Sequence, residues 1–215
     1  MATLTWDKFA FILGGLGWTL ILTAISFGVG IAGGFLVALV RVSQNTVIRW
    51  TAVAFIAFFQ GTPLLLQLFV VYYGLGLLNF NLPASLAVAI AFGLNASAFL
   101  GNIWRGGIQA VSLGQTEAAE ALGLSFYSRM IDIVLPQALR ISLPATIGFL
   151  VQLLKGTSLA ALVGFIELTR AGQIVSSQIF KPLLVFAIVG ALYFLLCWPI
   201  SLLGAKIEQR QHHQT

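Results

Sequence analysis

This sequence contains few charged residues. Aspartate, glutamate, lysine and arginine make up 8% of its 215 residues, whereas hydrophobic residues make up 59% and the mean hydropathy is +0.99. A soluble domain carries charge on about a quarter of its residues. Because so few polar side chains are available to face water, we predict an all-α polytopic membrane protein whose surface is mostly turned to lipid.

Other residue types are also scarce. The one cysteine, Cys197, lies inside an apolar run, so no disulfide can form within the chain. His212 and His213 lie in the tail, away from the bilayer in which an intramembrane hydrolase would need its base. The motif G-x-x-x-x-G-K-[ST] is absent, because KGTS at Lys155 has the wrong order. We therefore expect no enzyme activity, no metal site and no bound cofactor in this chain.

Apolar segments divide the chain into five predicted spans within a single transmembrane domain, 1–215. The first run, Phe9 to Val40, is too long for a signal peptide and lacks a small-x-small cleavage site, so it should remain as a span. Its many glycines favour close helix packing. The turn formers in Gly74 to Pro83 divide the longest uncharged run in two. The predicted spans are residues 9–40, 50–73, 84–104, 141–165 and 182–204.

The cations predict the orientation of the spans. The formal net charge is +5, but the basic residues are scattered at the ends of apolar runs, which is typical of flanks that set orientation and not of a nucleic-acid surface. With the amino terminus outside and the carboxyl terminus in the cytoplasm, seven cations fall inside and three outside. The inner group is Arg41, Arg49, Arg105, Arg129, Arg140, Lys206 and Arg210, and the outer group is Lys8, Arg170 and Lys181.

The polar segment 112–136 interrupts these apolar runs and would then be cytoplasmic. Ser112 to Gln115 has a capping-box pattern, Thr116 to Leu122 favours a helix, and Gly123 is suited to end it. Ser125 can cap a second short helix that Pro136 would limit or kink. Such a segment is either an amphipathic connector that lies on the lipid headgroups or a compact pair of short helices that enters a groove on a partner protein.

The segment contains Glu117-Ala118-Ala119, three residues, Gly123, nine residues, Ile133, one residue and Leu135-Pro136. This spacing resembles the EAA loop of bacterial ABC importer permeases. Flanking stretches are similar to the polar amino-acid permeases of the histidine and glutamine type, and the resemblance covers nearly the whole chain. These stretches are FQGTPLLLQLF (59–69), RGGIQAVSLGQTEAAEALG (105–123), LPQALR (135–140) and LLKGTSLAALVGFIELTRAG (153–172).

The resemblance implies the type I ABC importer permease fold, in the bacterial inner membrane. It implies a translocation subunit paired with an identical or similar permease, and a periplasmic or lipid-anchored binding protein that delivers an amino acid. ATP and Mg²⁺ would be bound by a separate ATPase dimer. The residues that would dock on that ATPase are Glu117, Ala118, Ala119, Glu120 and Gly123.

Polar groups inside the spans are candidates for holding the substrate, because they are costly in lipid and because broken helices expose backbone dipoles. The candidates are Gln60, Thr62, Asn102, Lys155, Thr157 and Ser158. Gln60 and Thr62 could instead restore the hydrogen bonds that Pro63 frees, and Lys155 could extend to the far interface.

Three positions depart from the family pattern, because the family usually has arginine at Gln60, glutamate at Asn102 and aspartate at Gly156. Either the substrate is less charged or this chain is the partner that does not hold it. Two other functions remain as alternatives: a permease for another small solute, and an ion-coupled secondary transporter. The second would need inverted repeats and several deep ionisable residues, and the sequence shows neither.

Overall fold

Helices form where the sequence is apolar, and the breaks between them fall at its turn formers. The computed structural model describes residues 3–43 and 45–212, and in this part of the chain it contains helices and no strands, which confirms the predicted class. The helices are α1 (Trp6–Arg41), α2 (Thr46–Gly61), α3 (Leu64–Phe69), α4 (Leu75–Leu77), α5 (Ala84–Ala110), α6 (Leu113–Ala121), α7 (Phe126–Ser128), α8 (Leu135–Gly156), α9 (Leu168–Ile179) and α10 (Pro182–His212). Two π-helical turns, Val70–Gly74 and Arg129–Val134, and a 3-10 segment, Thr157–Val163, extend neighbouring helices.

The centre of the bundle is the contact between α1 and α5. A Cβ added at Gly30 would lie 2.5 Å from the Cβ of Ala96, and one added at Gly34 would lie 2.8 Å from the Cβ of Leu100. These glycines therefore let the two backbones approach closely. Because the residue numbers rise together along both helices, α1 and α5 run in the same direction. Other glycines of α1, such as Gly14 and Gly28, face open space and have no such role.

The predicted second span is not straight. The pair Thr46–Gly61 and Leu64–Leu77 is bent by 102° at Thr62 and Pro63. Proline has no N–H to donate to the preceding turn, and the residue before it is disfavoured in helical conformation, so α2 ends here. A span that bends this sharply exposes the last carbonyl groups of α2.

Four helical runs are long and apolar enough to cross a bilayer, and the bent pair makes a fifth if it is one span. The number five therefore stays a prediction. The helices extend beyond two of the predicted spans, because the fourth run begins at Phe126 and α10 continues to His212. The tail of the chain is thus helical as far as His212, and His213 lies outside the described residues.

The bundle has two distinct ends. The α6 end is formed by α6 and the last turns of α1, α5 and α10, where the Gln211 side chain donates to the carbonyl oxygen of Arg140 at the start of α8. The α9 end is formed by α9 and the first turns of α1 and α10. The segment 167–181, between the fourth and fifth predicted spans, contains the helix α9, whose inner face packs on Ile12 and Val185.

Candidate functional site

The polar segment begins with a short helix that ends as its sequence predicts. Gly123 has a φ of +75°, and the Leu124 N–H donates to the carbonyl oxygen of Ala119 at 3.1 Å. This is the left-handed helix end that glycine favours. The predicted capping box was wrong, because Ser112 stands at the start of α6 but its side chain makes no capping hydrogen bond.

The rest of the segment is not a second isolated helix. Ser125 does cap α7, since its Oγ accepts from the Ser128 N–H at 3.2 Å. However, α7 continues through the π-helical turn Arg129–Val134 into α8, and Pro136 neither limits nor ends this run. Pro136 lies in the first turn of α8 and has no N–H to donate. The wider π-helical turn just before it changes the hydrogen-bond pattern at the position of this missing donor.

Two contacts hold α6 against the start of the helical run formed by α7, the π-helical turn and α8. Ala119 is buried, with 1% of its surface exposed, so its small side chain permits close approach of α6 to the chain's own helices. A carboxylate oxygen of Glu120 lies 3.1 Å from Arg129, whose guanidinium also lies over the Phe126 ring, 5.7 Å from its centroid. Movement of α6 would therefore be transmitted to the start of α8.

The outer surface of the segment is apolar as well as acidic. Glu117 and Ala118 are exposed, and so are Leu113, Leu122 and Tyr127, at 77%, 80% and 76% of their surface. Large apolar side chains this exposed at the tip of a polar segment are typical of a contact surface for another protein. These three residues were not among the predicted docking residues, although leucine and tyrosine within a charged segment are a visible signal.

Within the membrane-spanning part, a buried amide pair closes the break between α2 and α3. The Gln67 Nε2 donates to the carbonyl oxygens of Phe59 at 2.8 Å and Thr62 at 3.0 Å. The Asn95 Nδ2 donates to Gln67 Oε1 at 3.1 Å and also to the Phe59 carbonyl. These bonds satisfy carbonyl groups that the bend would leave unpaired. Gln67 was not among the predicted site residues; a glutamine shortly after Pro63 in an uncharged run was the available signal.

Three of the predicted substrate candidates use their hydroxyl groups locally. The Thr62 hydroxyl donates to the Phe58 carbonyl at 2.8 Å, Thr157 to Leu154 at 2.6 Å and Ser158 to Lys155 at 2.8 Å. Of the remaining candidates, Gln60 and Asn102 are half-buried, and Lys155 is exposed. No hydrogen bond joins the Gln60 or Asn102 side chain to any other described residue.

The two polar breaks predicted in separate spans do meet. A Cβ added at Gly156, which follows Lys155, would lie 3.3 Å from Leu64 Cδ2, one residue after Pro63. The carboxyl end of α8 therefore touches the bend of α2 and α3. This contact joins the region of Gln60 and Thr62 to that of Lys155.

At the α9 end, Glu167 is fully buried and fully partnered. One carboxylate oxygen accepts from the Arg170 N–H at 2.8 Å, and the other accepts from the Thr169 N–H at 2.8 Å and the Tyr193 hydroxyl at 2.9 Å. Glu167 thus caps α9 and binds it to α10. Burial raises the pKa of the Glu167 carboxyl above its usual value, and these hydrogen bonds offset part of that rise.

The sequence of this bundle matches the family model of the binding-protein-dependent transport system inner membrane component over residues 30–213. The chain belongs to this family of membrane permease subunits. Its relatives confirm the resemblance to amino-acid ABC importer permeases. The probable amino-acid ABC transporter permease protein YckA of Bacillus subtilis is 32% identical and covers 96% of this chain and 92% of its own. The arginine transport system permease protein ArtQ of the same organism is 33% identical, with coverages of 96% and 94%.

Solved structures show the same fold. The crystal structure of an amino acid ABC transporter with histidines superposes with a TM-score of 0.90 at 33% identity, over 97% of this chain and 100% of the other. An inward-facing form of the MetNI methionine ABC transporter superposes with a TM-score of 0.78 at 20% identity, over 96% and 99% of the two chains. The second likeness shows the fold alone.

Proposed function

We propose that this chain forms the translocation pathway for a polar amino acid as one membrane subunit of an ATP-driven importer. The names of its relatives support the class of substrate. A second permease subunit, identical or similar, would complete the pathway, and a periplasmic or lipid-anchored binding protein would deliver the amino acid. ATP and Mg²⁺ would be bound by a separate ATPase dimer, since this sequence has no phosphate-binding motif of its own.

The observation that carries this proposal is the construction of the α6 end. The helix α6 presents Glu117, Ala118, Leu113 and Leu122 outward while the Glu120–Arg129 ion pair holds it to the start of α8. A partner that moved α6 would thereby move α8. Helix α8 has 22 residues and is about 33 Å long, and its far end touches the bend of α2 and α3 at Gly156.

This geometry suggests how ATP hydrolysis would open the pathway. Closure of the docked ATPase dimer on ATP would draw two copies of α6 together, and each α8 would carry that displacement to the bend near Leu64. The excess of cations at the α6 end supports a cytoplasmic location for it, with the amino terminus outside. The ATPase would then be on the same side as α6.

We further propose that Gln60 and Asn102 contact the substrate directly. Their amide groups make no hydrogen bond to any described residue, whereas those of Gln67 and Asn95 are used to close the helix break. An amide without a partner in a membrane span is costly unless it meets a polar ligand or water. Lys155, Thr157 and Ser158 lie on the other side of the Leu64–Gly156 contact and complete the proposed site.

Gln60→Leu and Gln67→Leu distinguish the binding amides from the structural ones. In reconstituted vesicles, Gln60→Leu is expected to raise the KM for uptake with little change in thermal stability. Gln67→Leu removes partners from the Asn95 amide and from two carbonyl groups, so it is expected to lower the melting temperature. Equal effects of both variants on stability, with KM unchanged, would contradict the assignment.

The function itself is tested by uptake of radiolabelled amino acids into vesicles that contain the permease, its ATPase and its binding protein. We expect uptake only when ATP is present on the side of the membrane where the ATPase is bound. Uptake driven by an ion gradient without ATP would identify a secondary transporter instead. ATP-driven uptake of another small solute, with none of any amino acid, would contradict the proposed substrate class.

Docking is tested with Gly123→Trp. The space around Gly123 is open in this chain, so the indole would project into the region that a docked partner needs. We expect the variant to insert in the membrane but to lose co-purification with the ATPase and uptake. Gly123→Asn is the matched control, because asparagine tolerates the left-handed conformation without the bulk. Co-purification of Gly123→Trp at the wild-type yield, with normal uptake, would contradict the proposal.

A further inference from the structure

Three arginines gather at the α6 end without a carboxylate to neutralise them. The parallel packing of α1 and α5 pairs Gly34 with Leu100, and one to two turns further on it brings Arg41 beside Arg105. Arg49, in the first turn of α2, completes the group. The positive charges of Arg105 and Arg49 both act on the Arg41 guanidinium.

No described residue neutralises this cluster. Within residues 3–43 and 45–212, the ion pair in the structure joins Glu120 to Arg129 and involves none of the three. The Nε atoms of Arg41 and Arg105 are buried and have no hydrogen-bond partner, and Arg105 makes a side-chain bond only to the neutral Gln109, at 2.8 Å. Buried donors on clustered cations are costly unless an anion binds them. The cluster therefore has the chemistry of an anion site.

An apolar groove opens next to the cluster. It has a volume of about 640 Å³ and is lined by Phe35, Leu39, Val42, Ile108 and Leu135, with the polar Ser43 and Asn45 also on its wall. Val42 follows Arg41 in the chain, and Ile108 lies one helical turn after Arg105. An anion that also carries a hydrocarbon chain would fit both features, because its charge would meet the arginines and its chain would fill the groove.

We propose that the α6 end binds an anionic phospholipid, with its phosphate on Arg41, Arg49 and Arg105 and an acyl chain in the groove between Leu39 and Ile108. Basic pockets between membrane helices are suited to phospholipid headgroups of this kind. A soluble anion would leave the groove empty, so charge complementarity and the apolar groove together favour the lipid. The inference does not depend on which solute the permease carries or on whether α6 docks an ATPase.

The site borders the coupling segment. The groove wall also includes Phe126 and Met130, which belong to the helical run that α6 packs against. A bound acyl chain would therefore contact the helical run that leads into α8. Phospholipid composition would then affect how firmly α6 is held.

The test uses the purified, delipidated full-length permease, titrated in detergent with phosphatidylglycerol or with phosphatidylcholine of the same acyl chains. Native mass spectrometry counts the bound lipids. We expect phosphatidylglycerol to bind at least about tenfold more tightly, since it has a net negative charge, whereas the cationic choline of phosphatidylcholine cancels the phosphate charge and is repelled by the arginines. Equal affinity of the wild-type protein for the two lipids would overturn the proposal without recourse to any variant.

Variants locate the site. Arg41→Gln combined with Arg105→Gln is expected to abolish the preference for phosphatidylglycerol, whereas the double lysine variant at the same positions should retain most of it. Arg140→Gln is the matched control, because Arg140 is an exposed arginine at the same end, and it should leave the preference intact. A preference that survives in the double glutamine variant would place the lipid elsewhere and overturn the assignment.

A competition experiment distinguishes a site for a phospholipid from a site for a free anion. Inorganic phosphate at the same concentration as phosphatidylglycerol is expected not to displace it, because phosphate gains nothing from the groove. Displacement by inorganic phosphate at equal concentration would show a simple anion site and overturn the proposal of a lipid.

Discussion

The two ends of the bundle treat charge in opposite ways. At the α9 end, Glu167 is buried and both its oxygens are bonded to Thr169, Arg170 and Tyr193. At the α6 end, Glu117 is exposed and Arg41 keeps a buried donor without a partner. Charges that are satisfied within the chain serve its own fold, whereas charges left unsatisfied are available to other molecules. The α9 end is therefore a structural joint, and the α6 end is where we place the proposed binding surface.

The joint extends over three helices. The Leu168 N–H donates to the Thr19 Oγ1 of α1 at 3.2 Å, one residue after Glu167, and Tyr193 brings in α10. Because α1, α9 and α10 are tied at this one end, we expect them to move together. Changes in shape during transport would then be concentrated at the bend of α2 and α3 and at α8.

Replacing Glu167 by alanine should have the largest effect on stability. The change leaves the Thr169 and Arg170 N–H groups without their acceptor and removes one of the partners of the Tyr193 hydroxyl, at an expected cost of about 3 kcal/mol. Thermal unfolding in detergent would report this as a lower melting temperature. Glu117→Ala is the matched control at the other end and should leave the melting temperature unchanged. Similar losses in both variants would remove the distinction between the two ends.

The pH dependence of stability should be smaller and should also come from Glu167. Its carboxyl lies outside the four apolar runs, and burial raises its pKa above the usual 4.5. Between 4.5 and the raised value the folded state binds more protons than the unfolded state, so the free energy of unfolding decreases as pH rises through this window. Melting temperatures across this window should show that decline, and Glu167→Gln should reduce it. An unchanged slope in Glu167→Gln would assign the dependence to other groups.

The Glu120–Arg129 ion pair should contribute least. Although its atoms are 3.1 Å apart, the Glu120 side chain is 71% exposed, so water screens the attraction. A double-mutant cycle with Glu120→Gln and Arg129→Gln should give a coupling energy below about 1 kcal/mol. A value several times larger would mean that the α6 end also contains a structural joint of the kind found around Glu167.

The sequence was most informative where neighbouring residues determine the structure. Gly123 ends α6 and Ser125 caps α7, because each effect depends on bonds to residues only a few positions away. The motif around Glu117 also identified the family before any contact was known. Pro63 marked the break in the second span for the same local reason, although its angle of 102° could not be read from the sequence.

Contacts between distant residues were not predictable in this way. Gln67 and Asn95 meet across separate helices, and Glu167 needs Tyr193 to complete its bonds. The helix α9 is only partly apolar, and the contact of its inner face with Ile12 and Val185 depends on the packing of distant helices. The proximity of Arg41 to Arg105 depends on the packing register of α1 and α5, which composition does not specify.

Labelling of a single cysteine on α6 tests the proposed docking surface most directly. Glu117→Cys in a Cys197→Ala background would be treated with a membrane-impermeant maleimide, and Lys181→Cys at the α9 end would serve as the matched control. We predict that the cysteine at 117 stays unlabelled in intact cells, reacts in inverted vesicles stripped of the ATPase, and is protected when the ATPase is restored. Labelling at 117 in intact cells, or labelling that the ATPase does not reduce, would contradict the account.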